Sequence, residues 1–288
     1  PRCIYRHAHK LPAAHTLTLK RGEKNRASAC PYWDVSFTNN SIITLQDAQT
    51  ELRERITESV RLRMIADVPL GAFLSGGVDS SAVVATMAGL SSAPVQTCSI
   101  GFDDPRFDES SYAKQVAERY RTNHRMEIVS ADDFDLIDTL AWLYDEPYAD
   151  SSAIPTYRVC QMARKHVTVA LSGDGGDESL GGYRRYRMHQ GEEALRNCLP
   201  HGLRRPLFGA LGQMYPKADW APRPLRAKTT LQALAMDSVQ AYHHSMSHLL
   251  ADQRQVLFSA AFQRCLGGYS SLNVFRQYAL QTEIDDPL

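Results

Sequence analysis

The stretch "GAFLSGGVDSSAVVA", Gly71 to Ala85, decides how this chain of 288 residues is read. A short apolar run of strand composition meets two glycines and then an apolar helical pattern, giving a strand–turn–helix layout. Gly76 and Gly77 let the backbone turn tightly and bring its N–H groups close to an anion. Ser75, Ser80 and Ser81 add hydroxyls, and the N-terminus of the following helix favours negative charge. The loop has no lysine and carries Asp79, which alone would repel phosphate. An acid fits there if it holds Mg²⁺, which bridges it to phosphate oxygens. Neither a Walker loop (GxxxxGK followed by Ser or Thr) nor GxGxxG is present. The plainer alternative is a turn in which Asp79 and the serines serve only as helix caps.

Working outward, strand and helix patterns alternate from about residue 44 to 190. Thr44 can cap a helix in which Leu45, Ala48, Leu52, Ile56 and Val60 recur at helical spacing. "PVQTCSIGF" and "RMEIVS" read as strands, and "DESSYAKQVAERYRTN", "DDFDLIDTLAWLYDE" and "IPTYRVCQMARKH" as helices. "VTVALSGDGGDE" is a strand entering a second glycine turn. This alternation predicts an α/β fold: a Rossmann-like parallel sheet with helices on both faces. Open sheets of this kind bind ligands at the carboxyl ends of their strands, where both glycine turns fall. Residues 1–43 read as strand and turn material, with "HTLTLKRG" and "PYWDVSF" as short strands. From about Gly191 the alternation gives way to a helical extension, interrupted by a proline-rich loop from Pro216 to Pro224.

The motif "SGGVDSS" resembles the pyrophosphate loop of the ATP pyrophosphatases, the nucleotide fold shared by asparagine, GMP and NAD synthetases. Enzymes of that type split ATP between its α and β phosphates, which accounts for a phosphate loop with an acid and no lysine. The second turn, "LSGDGGDESLGGYRRY" from Leu171 to Tyr186, sets Asp174, Asp177 and Glu178 among five glycines. It lacks the spacing of a calcium loop, and an acidic surface turn is the plain alternative. It also resembles the second signature of the asparagine synthase family, which pairs "SGDGGDE…GGY" with the first motif. The resemblance runs from about Leu45 to Tyr186, and "KLPAAHTLTL…PYWDV" resembles the stretch that joins this domain to an N-terminal glutaminase. "DDPRFDESSYA" and "DEPYADSSAIPTY" look closest to bacterial amidotransferases associated with exosortase and extracellular-polysaccharide loci.

The resemblance implies an adenine-nucleotide α-hydrolase type of fold and a set of roles. Ser75, Gly76, Gly77, Asp79, Ser80 and Ser81 would surround the ATP phosphates, with Asp79 and Asp177 on Mg²⁺. Leu74 and Ile100 would touch the adenosine through their backbones, Ser172 and Gly173 would lie beside the nucleotide, and Asp174 would face the reacting carboxylate or the amine. Glu178 and Asp150 are further candidates, Asp150 also as a cap for the next helix. The implied reaction is activation of a carboxylate, aspartate or a relative, as an acyl-adenylate, followed by attack of ammonia drawn from glutamine. Intramolecular ring closure of the β-lactam-synthetase kind and a non-catalytic nucleotide-binding domain are the alternatives. Ser179 and Leu180 depart from the family's usual "DELFGGY". The family's glutaminase nucleophile and its lysine-bearing "K-x-D" helix are not matched, and both ends look cut. The chain is therefore expected to be a piece of a longer protein, with residues 1–43 ending the glutaminase or its linker, 44–190 the synthetase domain and 191–288 its extension. Alone it is expected to bind nucleotide but turn over poorly. A homodimer is compatible with the resemblance.

The remaining signals are plainer. Lys+Arg and Asp+Glu both number 32, so charge points to neither nucleic acid nor membrane. No run approaches the roughly 18 apolar residues of a membrane span. The six cysteines form no metal spacing, which with the absence of a leader pattern points to a reducing, cytoplasmic setting. Asp108 and Glu109 read as helix caps. The arginines of "YRRYRMHQ" and "HGLRRP", with Arg223, Arg226 and Lys228, read as a solvated helical surface. His243 and His244 make no metal pair, and Trp33, Trp142 and Trp220 are expected at the core or its boundary.

Overall fold

The computed structural model describes residues 3–5, 7–22, 28–35, 43–106, 108–130, 134–216, 220, 222 and 227–281. The chain divides into two compact units, one formed by Pro1–Asp34 and Ser41–Leu180, the other by Val35–Asn40 and Gly181–Leu288. In the first unit β1 (His15–Thr16) and β2 (Cys30–Pro31) pair antiparallel. This ladder is shorter than the alternation in "HTLTLKRG" predicts; Ser36 and Phe37 of the second expected strand lie outside the described residues.

A four-stranded parallel sheet follows, built from β3 (Leu70–Phe73), β4 (Gln96–Phe102), β5 (Asn123–Val129) and β6 (Val169–Leu171). The strand order is β5-β4-β3-β6. The chain steps from β3 through β4 to β5 in one direction, then returns to the far side of β3, so the order reverses between β3 and β6. That is the topological switch point at which open α/β sheets hold ligands.

Helices cover both faces, as the sequence predicts. Helix α1 (Leu45–Arg63), α2 (Val78–Leu90) and α3 (Ser110–Arg119) supply Val60, Val84, Met87, Ala113 and Ala117 to a core with Ala72 and Leu74. On the other face Cys98 packs with Met162 and Ala163 of α5 (Ala153–Ala163) and with Val167, joined by Phe73 and Ile100. The two-residue period of the strands divides Ala72 and Leu74 from Phe73, and the two cores follow from it. A 3₁₀ turn (Phe134–Leu136) and α4 (Ile137–Tyr144) lie between β5 and α5.

Thr44 caps α1 as expected, its Oγ1 accepting from Asp47 N–H at 3.2 Å. The apolar stripe is covered only toward its C-terminal end: Val60 is buried and Ile56 packs beside it, whereas Leu45 and Leu52 face solvent. The tryptophans depart from the expectation more plainly, since Trp33, Trp142 and Trp220 are 62%, 79% and 88% exposed.

The second unit holds the helices of the extension, and its packing corrects the reading of the basic stretch. Here α7 (Arg184–Cys198), α8 (His201–Met214), α9 (Lys228–Leu234) and α10 (Ser238–Met246) are followed by three short helices over Ala251–Leu257, Ala260–Leu266 and Leu272–Ala279. Arg196 and Arg204 are buried. Arg196 donates to the carbonyl of Ala233 at 3.1 Å and pairs with Glu192 and Glu193; Arg204 donates to the carbonyls of Leu234 and Met236 at 2.7 and 2.8 Å. These carbonyls lie at the end of α9 and just beyond it, where helix acceptors need partners from outside the helix, so the two guanidinium groups close that end. Arg223 and Arg226 lie outside the described residues.

Between neighbouring strands, His124 of β5 bonds Thr97 of β4 at 3.0 Å through Nδ1 and Ser99 at 3.3 Å through Nε2, and Thr97 also bonds Thr122 at 2.8 Å. Burial pushes the His124 imidazole below its ordinary value of 6.5. The unfolded chain then binds more protons between the folded value and 6.5, so stability falls as pH drops through and below that point. Urea midpoints of the sheet unit measured between pH 7.5 and 5.5 should fall with pH, and His124→Gln should flatten that slope.

Candidate nucleotide site at the switch point

Leu70, Gly71 and Ala72 of β3 pair with Val169, Ala170 and Leu171 of β6. Since the strands are parallel, the two glycine turns leave the same end of the sheet side by side. After Leu74 the chain turns through Ser75 and Gly76, and Gly77 is the N-cap of α2. Gly77 has no side chain with which to cap the helix, which leaves N–H groups of its first turn for another acceptor. Ser75 takes part of the role the capping alternative gives the serines, its Oγ accepting from the N–H of Gly77 itself.

The serines hold the loop in shape. Ser80, buried, receives the N–H of Ser75 on its Oγ at 3.3 Å, lies 3.0 Å from Ser75 Oγ, and donates to the carbonyl of Gly77 at 3.3 Å. Ser75 Oγ accepts in turn from Gly77 N–H at 3.2 Å. Ser81 Oγ is buried with no hydrogen-bond partner. Gly76 has φ +84°, and a Cβ there would lie 2.6 Å from the backbone nitrogen of Ala113 and from Cβ of Tyr112. The first turn is thus clamped by the start of α3, a contact that sequence patterns do not reveal.

The second turn folds onto the first. A Cβ on Gly173 would lie 2.6 Å from Ser80 N and 2.8 Å from the carbonyl carbon of Asp79. A Cβ on Gly176, the first residue of α6 (Gly176–Leu180), would lie 2.5 Å from Asp79 Cγ. Asp79, Ser80, Gly173 and Gly176 are therefore in direct contact, with Asp177 the next residue along. Asp174 is exposed; its Oδ2 accepts from Ser172 Oγ at 3.0 Å, and its N–H donates back to Ser172 Oγ at 3.4 Å. Glu178, Ser179 and Leu180 are exposed at the end of α6.

Leu74 N–H donates to the carbonyl of Cys98 at 2.9 Å. The two-residue alternation of β4 turns the backbone groups of Ile100 to the same edge, beyond the point at which β3 has ended. Asp150 organises the start of α5, its Oδ1 accepting from Ser152 N–H at 2.9 Å. Asp108 accepts from the N–H and hydroxyl of Ser110 at 3.2 and 2.8 Å, bonds that hold its carboxyl below the usual carboxylate range. It closes the start of α3, as the cap reading expects, while Glu109 is the N-cap without a side-chain bond.

A family model described as asparagine synthase matches residues 51–286. The chain belongs to the asparagine synthase family. It is 42% identical over 185 residues to a putative asparagine synthetase [glutamine-hydrolyzing] 2 of Methanocaldococcus jannaschii, covering 64% of this chain and 35% of the relative. Asparagine synthetase [glutamine-hydrolyzing] 1 of Bacillus subtilis is 34% identical over 210 residues, covering 70% of this chain and 32% of its own length. Amidase chyE of Penicillium rubens is 26% identical over 210 residues, covering 65% of the chain and 30% of the amidase. The chain thus spans about a third of the length of these curated relatives.

The two neighbouring glycines of the first turn should respond differently to substitution. Gly76→Ala adds a side chain at positive φ, which costs roughly 1–2 kcal/mol, and meets backbone as well. At Gly77 φ is −66° and the nearest obstacle is Ser75 Oγ at 3.3 Å. Urea denaturation should show a clear loss for Gly76→Ala and a much smaller one for Gly77→Ala.

Proposed function

We propose that this chain is the nucleotide-activating part of an ATP-dependent, amide-forming ligase that joins ammonia, released from glutamine, to a small carboxylate such as aspartate. The observation that carries the reading is the seating of Gly173 and Gly176 on Asp79 and Ser80, which assembles both acidic glycine turns at the sheet's switch point. Family membership supports the same chemistry.

The residues fit an ATP phosphate chain. The uncapped start of α2 offers backbone donors, and Ser75, Ser80 and Ser81 supply hydroxyls around Gly76 and Gly77. Leu74 and Ile100 present backbone edges suited to an adenosine, with Ser172 and Gly173 beside it. The donor set also suits magnesium, which is usually held by one or two carboxylates together with substrate phosphates; Asp79 and Asp177 are those carboxylates. Among the described residues no group of three or more His, Cys, Asp or Glu side chains could hold a metal by itself; substrate phosphates and water would complete the shell. When bound, magnesium neutralises charge on the departing pyrophosphate.

In this reading the loop N–H groups stabilise negative charge as it develops on the phosphates. A carboxylate oxygen attacks the α-phosphorus, the bond to the β-phosphate oxygen breaks, and pyrophosphate leaves. Ammonia then attacks the acyl carbon, AMP departs with the C–O bonding pair, and the nitrogen gives up a proton. Asp174, exposed beside the second turn and oriented by Ser172, is placed to face the acyl group or the amine. Holding both reactants in one crevice supplies the orientation such a reaction needs. All six cysteines are free thiols, which suits the cytoplasm. No described helix is long and apolar enough to cross a membrane.

Asp79→Asn keeps the side chain's size and removes its charge. It should weaken Mg²⁺-dependent ATP binding, measured calorimetrically, by at least the roughly 10–100-fold that loss of an outer-shell partner costs a metal site. Unchanged affinity would refute the assignment of this loop.

A further inference from the structure

We infer that Gly176 is a positioning residue whose missing side chain sets where the Asp79 carboxylate stands, and so governs metal-assisted nucleotide binding. The inference rests on the proposed function for the role of Asp79, and on the geometry of the second turn for its own substance.

The three glycines between Gly173 and Gly176 serve three different ends. Gly175 has φ +87° and nothing within 4 Å of a built Cβ, so its demand is conformational. Gly173 has no positive φ, and its Cβ would strike backbone atoms of Asp79 and Ser80; it is needed for the two turns to close on each other. Gly176 also has no positive φ, so an alanine could adopt its backbone conformation. The three nearest atoms to its Cβ all belong to one carboxyl group: Asp79 Cγ at 2.5 Å, with Oδ1 and Oδ2 at 2.8 Å.

The contact is one of shape. Gly176 N–H is engaged with the carbonyl of Gly173 at 3.2 Å. The Asp79 carboxyl therefore rests on a bare Cα, immediately before Asp177 in the chain. An added methyl would compel the carboxyl carbon to move by about 0.9 Å to regain an ordinary contact of 3.4 Å. Functional constellations tolerate roughly 0.5 Å of displacement, and magnesium insists on near-ideal octahedral geometry. Because the obstructed atoms lie at the end of a rotatable side chain, the shift falls on the carboxylate and leaves the fold intact.

The test compares ATP affinity in Mg²⁺ and in EDTA, with thermal melting alongside, for the full-length protein and its Gly176→Ala, Asp79→Ala and Asp79→Ala/Gly176→Ala variants. Gly176→Ala is expected to cut the Mg²⁺-dependent gain in affinity about tenfold or more while leaving affinity in EDTA at the wild-type value. In the Asp79→Ala background the same substitution should change nothing, because no carboxylate remains to be displaced. A full Mg²⁺-dependent gain in Gly176→Ala, or an equal loss in EDTA, would overturn the inference. If Gly176→Ala lowers the melting temperature, the double variant should restore it, and a loss that persists there would overturn the inference as well. Failure of the functional reading has its own signature: wild-type protein with no Mg²⁺-dependent gain, or Asp79→Ala retaining it, refutes both. Loss of the gain in Asp79→Ala with none in Gly176→Ala refutes only the role of Gly176.

Discussion

The parallel pairing of β3 with β6 is the constraint on which the site depends. Leu70 meets Val169 and Ala72 meets Leu171, so two turns far apart in sequence leave the sheet side by side. The reversal of strand order at this pair opens a crevice where the phosphate-type loop and the acidic turn can share a ligand. Without that register Asp79 and Asp177 would belong to separate surfaces, and neither turn alone carries the donors and acids that the proposed chemistry needs.

Packing anchors the pair on both faces. Leu74, fully buried, closes the core formed with α1, α2 and α3, while Phe73 faces the second core on the α5 side. The loop is anchored on both faces immediately before it turns. The contact of Gly76 with Tyr112 and Ala113, and of Gly173 with Asp79 and Ser80, then fixes it laterally. Glycine acts here chiefly through what its absent side chain lets approach, a different demand from the positive φ found at Gly76 and Gly175.

Much of this was legible in the sequence, because the β/α alternation has a strong period and the glycine turns sit at its punctuation. The parallel sheet, its helices on both faces and the Thr44 cap followed from local signals alone. The errors share a cause: burial is decided by distant partners. Arg204 resembles a surface arginine until the carbonyls at the end of α9 are placed beside it, and three exposed tryptophans resemble core residues by type. Leu45 and Leu52 carry the right period yet stand exposed. The contact between Gly176 and Asp79 joins residues far apart in the sequence, so composition could flag the glycine but not its neighbour.

The nucleotide product tests the central claim most directly. The full-length protein would be incubated with Mg-ATP, aspartate and ammonium, varying the carboxylate if aspartate is refused, and the products separated by ion exchange. The account predicts AMP and pyrophosphate, the result of breaking ATP between its α and β phosphates. Release of ADP and phosphate would contradict it, because the proposed reading makes pyrophosphate, and not ADP, the leaving group.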